Sequence, residues 1–111
     1  NKATLRLLLN WARELEKQKL VKLFTYQGDS GRVTLLPRLE PEQAGLVTIW
    51  NDRHSAYLSF WRTVFERRCP EVIEKIEAKI APVRLGQGTG TKIIDQGLLD
   101  LLTEAYQATA N

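Results

Sequence analysis

The hydrophobic period of the chain changes abruptly near residue 20, and that change most constrains the fold. Up to Lys17, apolar residues recur at helical spacing: Leu5, Leu8, Ala12 and Leu15 share one face, with Trp11 at its margin. From Val21 the pattern becomes Val-Lys-Leu-Phe-Thr-Tyr26, then Gly28-Asp-Ser-Gly31, then Arg32-Val-Thr-Leu-Leu36. β-Branched and aromatic residues on both sides of a four-residue, glycine-bearing loop predict an antiparallel hairpin. A helix over about residues 4–18 running straight into a hairpin points to an α+β domain.

Further along, Pro37 is expected to stop the second strand, and Glu40-Pro-Glu-Gln43 reads as a polar connection. Leu46-Val-Thr-Ile-Trp50 reads as a third, more buried strand, which completes a three-stranded antiparallel meander. Asp52 or Ser55 is placed to cap a helix carrying Tyr57, Phe60, Trp61, Val64 and Phe65 on one face. Arg67-Arg-Cys-Pro70 interrupts that helix, and a short one follows to about Ile80 through Val72, Ile73 and Ile76. Pro82 to Lys92 reads as a glycine-rich loop. Asp95 caps a last helix through Leu98, Leu102 and Ala105 to about Thr109, with Tyr106 at its edge. The expected architecture is one α+β domain over residues 1–111: an N-terminal helix, a three-stranded antiparallel β-meander, then three helices packed on the sheet.

A chain of 111 residues buries roughly 65% of its unfolded surface and folds without staples. Its 43% hydrophobic and 26% charged content excludes disorder, collagen and coiled coil. No apolar run reaches the roughly 18 residues of a membrane span, so no membrane partner is expected. One cysteine and one histidine are too few for an internal disulfide or a structural zinc, so no metal or other cofactor is expected and a cytoplasmic setting is. The chain starts Asn1-Lys2 and contains no methionine, which reads as a fragment of a longer, bacterial-type protein.

The net charge of +3 is mild, but it is unevenly spread. Lys17, Lys19, Lys22, Arg32 and Arg38 face Asp29 alone in the stretch 17–38, whereas Asp95, Asp100 and Glu104 stand after Ile93 without Lys or Arg. The hairpin is the basic pole and the C-terminal segment the acidic one. Arg6, Asn10, Arg13 and Lys17 fall on one stripe of the first helix, opposite its apolar face.

Catalytic signatures are missing. Gly86-Gln-Gly-Thr-Gly-Thr-Lys92 has the ingredients of a phosphate cradle, but its lysine does not follow glycine directly, and a linker is the better reading. His54 and Asp52 stand two residues apart and do not face each other at a helix start. Cys69 beside Arg67 and Arg68 reads as a thiolate or as a filler. Glu40 with Glu42, and Asp95 with Asp100, form no acid/base pair. A non-enzymatic domain is expected.

A helix ending in Leu15-Glu-Lys-Gln-Lys-Leu-Val21 and followed at once by a basic hairpin resembles the recognition helix and wing of winged-helix DNA-binding domains, over about residues 4–38. The resemblance implies groove contacts for Arg6, Asn10 and Arg13 and backbone contacts for Lys22 and Arg32. Lys17 and Arg38 complete the candidate set for DNA or RNA. The bland alternative is a solvated helix face and an ordinary hairpin. Trp11, Trp50 and Trp61 offer a second function, a surface for another protein or a second copy of the chain. The two readings separate on whether Arg6, Arg13, Lys22, Arg32 and Arg38 share one exposed face, which favours phosphate, or are scattered with Trp11, Trp50 or Trp61 exposed, which favours a protein partner.

Overall fold

The structure, a computed structural model, describes residues 2–27, 33–39, 44–51, 56–91 and 94–109. In chain order these form helix α1 (Lys2–Lys17) and strands β1 (Lys22–Gln27), β2 (Val33–Leu39), β3 (Ala44–Gly45), β4 (Val47–Asn51) and β5 (Ala56–Trp61). Helices α2 (Arg62–Arg68) and α3 (Ile73–Ile80), strand β6 (Gln87–Thr91) and helix α4 (Gln96–Thr109) follow. A 3-10 turn, Pro70–Val72, introduces α3. The class is α+β, with an antiparallel sheet in the order β1-β2-β4-β5-β6 and β3 attached to β2. Among the described residues no helix is long and apolar enough to cross a membrane.

Helix α1 buries Leu8, Ala12 and Leu15 and ends in a Schellman motif. The amide of Leu20 donates to the Leu15 carbonyl at 3.0 Å and that of Lys19 to Glu16 at 2.9 Å, with Lys19 left-handed at φ 64°. This tight exit sends the chain into β1, so the predicted helix and hairpin both form. The last helix also begins as its sequence implies. Asp95 Oδ1 accepts from the Leu98 amide at 2.9 Å, and Lys79 pairs with its other oxygen at 3.0 Å. The Leu98 amide, then Lys79, holds the Asp95 carboxyl below its ordinary range.

The three-stranded meander is too small. Residues 56–61, expected in a helix, form β5 and pair with β4, Leu58 opposite Ile49 and Tyr57 opposite Trp50. Their spacing fits both periods, since 57, 60, 61, 64 and 65 recur helically while Leu58 and Phe60 alternate with Tyr57, Ser59 and Trp61. Pairing with β4 decides for the strand, and α2 starts only at Arg62. The expected loop over 82–92 likewise holds a strand: β6 pairs with β5 and returns to the sheet between α3 and α4. Three α-helices do follow β5, therefore, but not as one run.

Pro37 does not end β2. It lies between the residues of β2 that pair with β4 (Val33 to Leu35) and those that pair with β3 (Arg38 and Leu39), where no ladder bond is required of it on that side. The Pro37 carbonyl accepts the hydroxyl of Tyr106 at 2.8 Å, which ties α4 to the sheet. Tyr106, expected at a helix edge, is fully buried, with its ring edge-to-face to Trp11 at 6.1 Å.

The helices cover one sheet face. Leu39, Val47, Ile49, Leu58 and Phe60 point into that layer and meet Leu8, Leu15, Phe65, Ile76, Leu98 and Leu102 in one core. Strand alternation turns the residues between them to the other side.

Candidate functional site

That second face carries the chemistry left over by the core. Register places Lys22 opposite Arg38 and Trp50 opposite Tyr57 on it, with Phe24, Thr34, Thr48, Ser59 and Trp61. Phe24, Trp50, Tyr57 and Trp61 are all partly exposed, and the first three lie outside the core cluster. Aromatic rings left partly in water and grouped on one face make that face the candidate surface.

The rings are held in place by their neighbours. The Trp50 indole N–H donates to Ser59 Oγ at 2.8 Å, and the Trp61 indole N–H to Thr48 Oγ1 at 2.8 Å. Thr48 and Ser59 are themselves direct cross-strand partners, so the two bonds run diagonally across the β4–β5 ladder. Trp50 and Tyr57 stack with centroids 5.9 Å apart and planes 8° from parallel. Under Tyr57 runs Gly90 of β6, where a Cβ would meet the Leu58 carbonyl at 3.1 Å and the tyrosine ring at 3.4 Å. A side chain at this position would force the Leu58 carbonyl, and with it the strand spacing, to give by a few tenths of an ångström.

The cations lie at the other end of the same face. Arg38 stands over the Phe24 ring, 5.5 Å from its centroid, in cation–π geometry. Lys22 and Arg38 are direct cross-strand partners, which sets two cationic side chains side by side on this face. Beside Lys22, a cleft of about 530 Å³ opens between the end of α1, β1 and α4, with Lys19, Leu20 and Glu16 among its walls.

The candidate cations do not share a face. Arg6, Asn10 and Arg13 are exposed on α1, on the helical side of the sheet, whereas Lys22 and Arg38 belong to its other face; Lys17, also exposed, ends α1 at the turn into β1. Arg32 lies outside the described residues, as do Glu40, Glu42, Asp52, His54, Ser55 and Lys92. Of the three tryptophans proposed for a surface, Trp50 and Trp61 are on the open face. Trp11 is a core residue, 8% exposed, and its indole N–H donates to Thr103 Oγ1 at 2.8 Å. Phe24 and Tyr57 complete the face and were not singled out for it. The signal that could have found Tyr57 was the two-residue alternation of Ala56–Trp61.

Other polar clusters are accounted for by the fold. The Arg62 guanidinium bonds Glu66 at 3.1 Å, Glu77 at 3.3 Å and the Leu85 carbonyl at 2.8 Å, so it clamps the entry to β6. Cys69 is fully buried, and burial first, then Glu71, pushes its thiol up to about 11, which removes the thiolate reading. Among the described residues no three His, Cys, Asp or Glu side chains come together as a metal site. Comparison of the chain with protein-family models, with curated proteins and with solved structures finds no match, and the functional reading rests on the geometry of this face.

Proposed function

We propose that this is a non-catalytic nucleic-acid-binding domain, and that the open sheet face is its binding surface. The observation that carries the reading is the Lys22–Arg38 pair set on one face with partly exposed aromatic rings. Cations supply the sequence-independent attraction to phosphate, and rings supply surface for bases. Relative to a basic helix and hairpin acting together, this assigns binding to the hairpin side and leaves the α1 stripe as a solvated helix face.

Fluorescence anisotropy with labelled oligonucleotides over a salt series tests it. Two phosphate contacts give a slope of log K against log salt of about −1.4 for a single strand, and Lys22→Ala or Arg38→Ala lowers its size by about 0.7. Arg6→Ala with Arg13→Ala leaves affinity unchanged. Loss of binding in the α1 variant alone sends the ligand to the helix instead, and absence of binding at low salt rejects the function. A protein partner is the second reading, favoured by the scatter of the cations over more than one face and by the partly exposed rings of Trp50, Tyr57 and Trp61. Its mark is association that added salt does not weaken.

A further inference from the structure

We infer that the outer edge of β1 is an interaction surface, and that its partner is the same edge of a second copy of this chain, paired antiparallel about a two-fold axis. The inference is independent of the nucleic-acid reading.

The sheet has two terminal strands, β1 and β6. A terminal strand carries a row of backbone donors and acceptors that another chain can bond, and native edges are guarded by a bulge, a proline or a charge within the strand. β6 is guarded. Its pairing with β5 shifts register between Ser59 and Trp61, and two of its five residues are glycine. β1 is not. All six of its residues, Lys22 to Gln27, follow β2 in one unbroken register, and Leu23-Phe-Thr-Tyr-Gln27 holds no charge, glycine or proline. Among the described residues no strand but β2 pairs with β1. Thr25, near its middle, is exposed, and Leu23 and Phe24 are half-buried. The end of α1 leaves the cleft of about 530 Å³ beside the start of the strand.

The sequence of β1 selects the occupant. Uncharged segments rich in aromatic and β-branched residues pair with identical copies, whereas an acidic peptide finds no cation between Leu23 and Gln27 to answer it. In an antiparallel pair opposite side chains point to the same side, so a two-fold axis that keeps the two open faces together passes through a residue position. Phe24 and Thr25 are the central positions, and either axis pairs about five residues of each strand. The one charge of β1 is its first residue. The two copies of Lys22 therefore stand about 14 Å apart with the axis at Phe24 and about 20 Å apart with it at Thr25. Both separations exceed the screening length of about 8 Å in physiological salt, so the basic ends do not drive the copies apart. A parallel pair in register sets Lys22 against Lys22 and is disfavoured.

The pair joins the two open faces into one, with Phe24 at the seam. Each chain has one such edge, so assembly stops at two copies. A seam this short is small against a standard interface, which puts the dissociation constant at roughly 10–100 µM.

Sedimentation velocity from about 5 to 500 µM tests it. The samples are the wild type, Thr25→Lys, Thr25→Asp, and the two variants mixed in equal amounts, with a thermal melt of each. The exposed position lets both variants fold. The wild type passes from monomer to dimer over this range. Each variant alone dimerises about tenfold more weakly, because either axis sets the two substituted positions opposite or one diagonal apart, and added salt narrows that loss. The equal mixture regains at least the wild-type association. Hydrogen exchange of the wild type gives a second reading, in which backbone amides of Leu23 to Gln27 gain protection as concentration rises. A wild type monomeric at the highest concentration, a dimer that both folded variants leave intact, a mixture no tighter than either variant, unchanged exchange in β1, or assembly beyond two copies overturns the inference.

Discussion

Tyr106→Phe tests how the helical layer is fastened to the sheet. The wild-type hydroxyl is buried and donates to the Pro37 carbonyl at 2.8 Å, at the gap where β2 changes partner from β4 to β3. Phenylalanine keeps the ring and its contact with Trp11 but leaves a buried carbonyl without that donor. Such a loss costs about 1–3 kcal/mol, and about 2 kcal/mol lowers Tm by roughly 8–15 °C in a domain of this size. Urea and thermal melts at pH 7 measure it. The pH dependence has a defined sign. Burial raises the folded pKa of Tyr106 above its ordinary value of about 10, outweighing the Val47 and Leu46 amides. Its contribution is complete below pH 10 and is lost as pH rises beyond it, at about 1.4 kcal/mol per pH unit. Wild type and variant therefore converge above pH 10, where only the wild type has this group to ionise. A difference under about 0.5 kcal/mol at pH 7, or parallel curves above pH 10, would refute the reasoning.

Lys19→Gly relieves a side chain held at positive φ and stabilises the fold by about 1 kcal/mol, seen as a Tm rise of several degrees; an unchanged or lower Tm contradicts the left-handed cap. The Cys69 thiol stays unreactive to an aromatic disulfide reagent until the protein unfolds. Because its pKa is raised from 9.0 to about 11, stability falls by about 3 kcal/mol between those pH values, a loss that Cys69→Ala does not show in urea melts. Gly90→Val drives a side chain into the Leu58 carbonyl and the Tyr57 ring, costing about 1–3 kcal/mol in denaturant melts. In the folded fraction it weakens oligonucleotide binding without altering the salt slope, and full affinity would show that the ring does not need its support.

Legibility followed the range of the interactions concerned. Leu5, Leu8, Ala12 and Leu15 fit one period and announce α1, and the hairpin follows from residues that pair across a short loop. Tyr57, Phe60 and Trp61 fit two periods, so the choice between helix and strand awaited β4. Nothing apolar marks Gln87–Thr91 as a strand. It pairs because the edge of β5 is open beside it and because Gly90 lets the backbones approach. Trp11 and Trp50 look alike as exposed-or-buried candidates, yet one bonds Thr103 on α4, 92 residues away, and the other Ser59 on the adjacent strand.

By itself the amino-acid order determines an α+β chain, its first helix and hairpin, the Asp95 cap and a surplus of aromatic residues, because each depends on neighbours within a turn or a loop. Tertiary structure alone decided which of those rings are core and which are surface. Alternation divides every strand into two faces, and only the packing of the helices on one of them leaves Trp50, Tyr57 and Trp61 on the other, with Lys22 and Arg38 at its far end.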